Sequence, residues 1–171
     1  MDVRHAADLI RLKDGFGPAA ETWYDLGCGT GTFTMALAQL LPFGSVVYAV
    51  DRNARSLKRI PDDHEGVSIC KMTANFLEDS FGLPALDGVL MANSLHFVKQ
   101  QSSLVAKVAN AAARVLVVEY EGDSASFWRP YPVPYYKLQA LLLRAGYTSV
   151  AQLAEHASRY GGKIYSAVAV R

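Results

Sequence analysis

Short β-branched and apolar runs alternate with longer stretches of helical period along this chain, and that alternation restricts the fold more than any other feature. Strands separated by helix-length segments cannot pair as hairpins; they join by crossovers into a parallel sheet with helices on its faces. "ETWYDL" (21 to 26), "SVVYAVD" (45 to 51), "GVSICKM" (66 to 72), "LDGVLMAN" (86 to 93) and "RVLVVEY" (114 to 120) read as five strands. Between them, "TFTMALAQLL" (32 to 41) places Phe33, Leu37 and Leu40 on one helical face, and a short helix from about Asn53 to Ile60 stops before Pro61. "SSLVAKVANAAA" (102 to 113) is a helix with Ser102 or Ser103 as expected N-cap, running almost without a break into the fifth strand. "YYKLQALLLRAGY" (135 to 147) is an amphipathic helix closed by Gly146, and strands at 148 to 156 and 163 to 170 follow, joined by a turn at Gly161-Gly162. The segment 121 to 134, with three prolines and no period, is a long loop, and such loops in compact domains tend to be functional.

Size and charge narrow the classes of function. The 171 residues, 51% hydrophobic and 19% charged, fit one domain spanning 1 to 171. A formal net charge of +1 provides no basic field for nucleic acid, and "RSLKR" (55 to 59) reads as the solvated face of a short helix. Cys28 and Cys70 form no CxxC pair, which suits a reducing compartment, and His5, His64 and His156 are too scattered to suggest a metal site. The charged N-terminus lacks the apolar core of a signal peptide, and no stretch has the length of a membrane span, so a soluble, cytoplasmic protein is expected.

The sharpest local signal is "YDLGCGTGTF" (24 to 33), where the first strand turns into the first helix. Gly27, Gly29 and Gly31 leave the backbone bare at a point where its N–H groups point outward with the positive helix end behind them. A ligand held against the main chain is one account; a tight turn is the other. The spacing is not GxGxxG, because Thr32 stands where the third glycine would fall, which disfavours NAD. Asp51, at the end of the second strand and 20 residues past Gly31, can accept two hydrogen bonds from a ribose diol.

"DLGCGTG" followed by "VYAVDRN" resembles the first two motifs of class I S-adenosylmethionine-dependent methyltransferases, and the resemblance extends from about residue 20 to 170 through "TANFLED" (73 to 79), "LDGVLMANSLHFV" (86 to 98) and "RVLVVEY". It implies an α/β, doubly wound, mostly parallel seven-stranded sheet in the order 3-2-1-4-5-7-6 with strand 7 antiparallel. It also implies S-adenosylmethionine as cofactor and S-adenosylhomocysteine as product. The backbone at Gly27, Gly29 and Gly31 would touch the methionine part and ribose, Asp51 the ribose hydroxyls, and Asn75 and Phe76 the adenine. Asn93 and Ser94 would lie near the sulfonium, and Asp25, Cys28 and Arg52 belong to the same motifs. Position 75 is Asn where many members carry an acid, "NAAARV" replaces a Pro-Gly-Gly type turn, and almost no N-terminal extension is left to form a substrate-selecting cap.

Transfer of a methyl group to a small-molecule acceptor is the leading expectation. Methylation of nucleic acid or protein comes second, because Asn93-Ser94-Leu95-His96 stands where amino-methylating members often carry an Asn/Asp-Pro-Pro-aromatic motif. A non-catalytic cofactor-binding subunit is a third possibility. On the acceptor side, His96 is the candidate general base, with a local packing role as the other account. Trp128, Arg129 and Tyr131 are candidate walls of the acceptor pocket, and Glu119 is an acceptor contact or a partner for Arg129.

Overall fold

The computed structural model describes residues 1–158 and 161–171. In chain order the elements are α1 (Val3–Ile10), β1 (Thr22–Leu26), α2 (Thr32–Ala38), β2 (Val46–Asp51), α3 (Ala54–Leu57), β3 (Asp63–His64), β4 (Val67–Thr73), β5 (Leu86–Ala92), a 3-10 turn (Leu95–Phe97), α4 (Gln101–Ala111), β6 (Ala112–Tyr120), α5 (Tyr135–Arg144), β7 (Ser149–Ala157) and β8 (Lys163–Val170). The strands form one sheet in the order β3-β4-β2-β1-β5-β6-β8-β7. The neighbours from β4 to β6 run parallel, whereas β8 is antiparallel to both β6 and β7.

The expected doubly wound sheet is therefore present, with one correction: the described residues hold eight strands, not seven. The extra strand, β3, is a two-residue edge piece turned back onto β4 through Glu65 (φ 53°) and Gly66 (φ 80°). Without β3, the remaining order is the expected 3-2-1-4-5-7-6.

Strand alternation divides the core between two faces. Val115 and Val117 of β6 pack with α4 and α5, while Leu116 and Val118 pack with α1 and α2. On β1, Tyr24 and Leu26 face the first layer and Trp23 the second. Helix α1 was not expected. Asp2 caps it by accepting from the His5 N–H at 3.0 Å, and its buried face of Ala6, Ala7, Leu9 and Ile10 lies against α2. Helix α4 departs from the Ser102/Ser103 N-cap: its N-cap is Gln100, with no side-chain capping bond. Gly146 does follow the C-cap Ala145 of α5, with φ 101°, as a C′ glycine should. No helix among the described residues is long and apolar enough to cross a membrane.

This topology sets the location of a ligand. Chain connections leave β1 toward β2 on one side, and β5 pairs on its other side, so a crevice opens beyond the carboxyl ends of β1 and β5. The glycine loop and Asn93-Ser94 face each other across it. A Cβ on Gly27 would come 2.7 Å from Ser94 Cβ, so only glycine allows this approach.

Candidate functional site

The glycine loop is fastened from below and open above. The Gly27 and Cys28 N–H groups donate to the Val50 carbonyl at 2.8 and 3.1 Å, tying the loop to the end of β2. The Gly29 N–H donates to Asp51 Oδ2 at 2.8 Å, and the Asn53 N–H to Asp51 Oδ1 at 2.8 Å. Asp51 thus fixes the loop while keeping a free lone pair on each oxygen. A Cβ at Gly29 would meet nothing within 4 Å, because this part of the backbone borders open space. Gly31 has a different reason: it precedes α2 at φ 84°, and a Cβ there would reach 2.6 Å from the Ile60 side chain.

Two cavities lie along this loop and a third lies beyond them. One of about 480 Å³ is bordered by Gly27, Asp51, Arg52, Asn75, Phe76 and Ser94. A second of about 300 Å³ is bordered by Gly27, Cys28, Gly29 and Tyr120. The third, of about 620 Å³, is bordered by His96, Phe97, Tyr120, Trp128 and Arg129. Asn93 borders all three. It sits just past β5 at φ 53°, a left-handed conformation uncommon for a non-glycine residue, with its N–H donating to Val118 O at 2.8 Å.

Hydrogen-bonding capacity is left unused at the same place. Of the four buried side-chain polar atoms without a partner among the described residues, three, Asp25 Oδ1, Asn93 Oδ1 and Ser94 Oγ, lie here, and the fourth, His64 Nε2, lies on the edge strand β3. Such groups cost about 1–3 kcal/mol each unless a ligand satisfies them. Asp25 is fully buried beneath the loop, and the Thr34 hydroxyl donates to its Oδ2 at 2.6 Å. Burial pushes its carboxyl up to about 7; the Thr34 hydrogen bond opposes the shift and the charge of Asp51 adds to it. Burial, reinforced by both carboxylates, also holds the Cys28 thiol well above its ordinary range, so Cys28 is not a thiolate nucleophile. Asn75 Oδ1 already accepts from the Leu77 N–H at 3.2 Å, leaving one lone pair for a ligand.

The acceptor side differs from expectation in two respects. Glu119 is paired with His96, not Arg129: its Oε2 lies 2.6 Å from His96 Nδ1, and its Oε1 accepts from the His96 N–H at 3.1 Å. Both side chains are buried. Tyr131 contributes backbone instead of a wall, its N–H donating to His96 O at 3.0 Å and its carbonyl accepting from Gln101 Nε2 at 2.8 Å. Trp128 and Arg129 do border the cavity. Sequence reading missed Phe97 and Tyr120, whose rings lie 4.2 and 6.1 Å from the imidazole. Aromatic residues near the carboxyl ends of strands, Tyr120 closing β6 and Phe97 in the 3-10 turn after β5, were the available signal.

Comparison with known proteins converges on one family. A family model described as a methyltransferase domain matches residues 24–114. Among solved structures, the N-terminal domain of EvdMO1, crystallised with SAH bound, is 18% identical with a TM-score of 0.69, covering 98% of this chain and 79% of that one. The YcgJ protein of Bacillus subtilis is 11% identical with a TM-score of 0.72, over 98% of each chain. A SAM-dependent methyltransferase of Methanosarcina mazei is 17% identical with a TM-score of 0.67, over 92% and 93%. A search among curated proteins found no match.

Proposed function

The chain belongs to the methyltransferase domain family, class I enzymes that use S-adenosylmethionine and release S-adenosylhomocysteine, and on that premise we propose that it methylates a small molecule bound in the His96 cavity. The observation that carries this reading is the convergence of three cavities on Asn93. Two of them lie along the glycine loop and suit the donor; the third lies beyond them and suits the acceptor.

In this reading Asp51 accepts from the ribose diol with the lone pairs that Gly29 and Asn53 leave free. Asn75 and Phe76 border the adenine end, together with Arg52. The backbone of Gly27 through Gly29 lies against the methionine end, where Asn93 and Ser94 offer their unused oxygens. The bound donor supplies a methyl group already activated on a sulfonium, so the protein's task is alignment and removal of the acceptor's proton. Holding two reactants in line contributes about 7–11 kcal/mol.

His96 and Glu119 perform the second part. A carboxylate accepting from Nδ1–H fixes the imidazole tautomer that leaves Nε2 with a lone pair, and the second bond from the His96 N–H prevents Glu119 from turning away. His96 borders the cavity, so Nε2 takes the acceptor's proton while Glu119 stabilises the resulting cation.

The test separates donor site from acceptor site. Asp51→Ala is expected to weaken S-adenosylhomocysteine binding by about tenfold or more in calorimetric titration, since a lost charge-assisted hydrogen bond is worth about 1.5–3 kcal/mol. His96→Ala is expected to keep that affinity and lower turnover by about 10²–10⁴, measured as demethylated-cofactor release. Unchanged binding in Asp51→Ala, or unchanged turnover in His96→Ala, overturns the respective assignment.

A further inference from the structure

The His96 cavity also holds a cation. Arg129 borders it with no carboxylate partner among the described residues; its guanidinium carbon lies 5.2 Å from the centre of the Tyr120 ring. The nearby acids are engaged elsewhere. Glu119 is held by His96, Glu121 Oε2 accepts from the Tyr135 N–H at 3.1 Å, and Asp123 Oδ1 accepts from the Tyr136 hydroxyl at 2.7 Å. Arginine stacked on an aromatic face keeps its N–H donors in a plane suited to a carboxylate.

This position is built. Ser126 and Arg129 exchange backbone hydrogen bonds at 3.0 and 3.1 Å, and Ser126 Oγ accepts from the Arg129 N–H at 3.1 Å, closing a tight turn. Two residues on, Tyr131 is bonded to the His96 carbonyl, so the loop that carries the cation is anchored to the residue that carries the base. The ring of Tyr120 lies beside both, with Phe97 against the imidazole and Trp128 at the margin, 75% exposed.

We propose that the acceptor is a flat hydroxyarene carboxylate, its carboxylate on Arg129, its ring among Phe97, Tyr120 and Trp128, and its hydroxyl directed to His96. The inference rests on the methyltransferase reading of this cavity and names the chemical class that enters it. The hydroxyl proton passes to His96 Nε2 as the aryl oxygen forms its bond to the methyl carbon, and the pair from the breaking S–C bond returns to sulfur.

The test is binding of three matched probes to the full chain saturated with S-adenosylhomocysteine. The probes are 4-hydroxybenzoate, its neutral amide 4-hydroxybenzamide, and the cationic 4-hydroxybenzylamine. Trp128 reports occupancy by fluorescence, because the other tryptophan, Trp23, is fully buried in the core. The benzoate is expected to bind about tenfold or more tightly than the amide, and the amine weakest. Arg129→Met is expected to reduce the benzoate's advantage to within about twofold while amide affinity stays unchanged; Arg129→Lys retains part of it. Equal binding of benzoate and amide by the wild type, preference for the amine, absence of binding by all three, or an advantage that survives Arg129→Met overturns the proposal. Loading with S-adenosylhomocysteine is measured first, so failure at that step overturns the donor site instead.

Discussion

A carboxylate stands at each end of β1, and the two are treated in opposite ways. Glu21, at the amino end, is 7% exposed and fully engaged: Oε2 accepts from Trp23 Nε1 at 2.7 Å and pairs with Arg114 Nη2 at 2.6 Å, while Oε1 accepts from the Gly17 N–H at 3.3 Å. Asp25, at the carboxyl end, is 0% exposed and has the Thr34 hydroxyl on one oxygen and nothing on the other. Asn93 and Ser94 repeat this incomplete pattern at the end of β5. The amino end of β1 spends its carboxylate on closing the structure; the carboxyl ends of β1 and β5 leave buried polar atoms unused. Along β1, buried polar capacity left unused thus marks the end that borders the crevice, while the other such atom among the described residues, His64 Nε2, lies apart on β3.

The largest effect is expected where the pairing is complete. Glu21→Gln removes the charge that Arg114 and the Trp23 indole share and leaves a guanidinium over the Phe16 and Trp23 rings without its anion. Breaking a buried pair from one side costs about 3–5 kcal/mol. Denaturant unfolding should show a loss of that order, with S-adenosylhomocysteine affinity nearly unchanged. Asp25→Asn should do the reverse, leaving stability equal or higher at pH 8 while changing the loop's affinity for the donor. If Glu21→Gln instead impairs the site and spares the fold, the division between the two ends fails.

A second effect, spread over pH, comes from Asp25 alone. Its folded carboxyl titrates at about 7, against an ordinary value of 3.8. Between these values the native state holds a proton that the unfolded chain has released, so unfolding free energy falls as pH rises through the window. The slope attributable to this group is at most about 1.4 kcal/mol per pH unit and vanishes above the folded value. Unfolding without ligand from pH 4 to 8 should show this descent in the wild type, and a flatter curve in Asp25→Asn. Parallel curves for the two proteins would mean that Asp25 stays ionised in the fold.

The pattern of strands and helices, the glycine loop and Asp51 were readable because each is local: period, turn chemistry and a short spacing within one βαβ unit carry them. β3 escaped because two residues, Asp63 and His64, present no alternation, and its turn through Glu65 and Gly66 lacks the usual asparagine or aspartate. Helix α1 did leave a trace, with Val3, Ala6, Ala7 and Ile10 at helical spacing, masked by the charges between them. The bond between Glu119 and His96 was not readable at all. It spans 23 residues and follows from the register of β5 against β6, where Ala92 lies beside Val118 and so brings the two strand ends together. The alternative that made Glu119 a partner for Arg129 failed for the same reason.

The smallest expected effect sharpens the comparison at a single atom. Among the described residues, Thr34 supplies the only hydrogen bond that Asp25 receives from a side chain, at 2.6 Å, from the first turn of α2. Thr34→Val keeps the shape of the buried side chain and removes the donor. When Asp25 is protonated, at pH 5, the lost bond is between neutral groups and worth about 1 kcal/mol. When Asp25 is ionised, at pH 8, the bond is charge-assisted and worth about 1.5–3 kcal/mol. The hydrogen bond also holds the Asp25 carboxyl below where burial alone would put it, so its removal should move the levelling-off of the stability curve to higher pH. The measurement is denaturant unfolding of Thr34→Val at both pH values, in the wild-type and the Asp25→Asn backgrounds. In Asp25→Asn the cost of losing Thr34 Oγ should no longer depend on pH; a dependence that persists there would show that a group other than Asp25 responds to the hydroxyl.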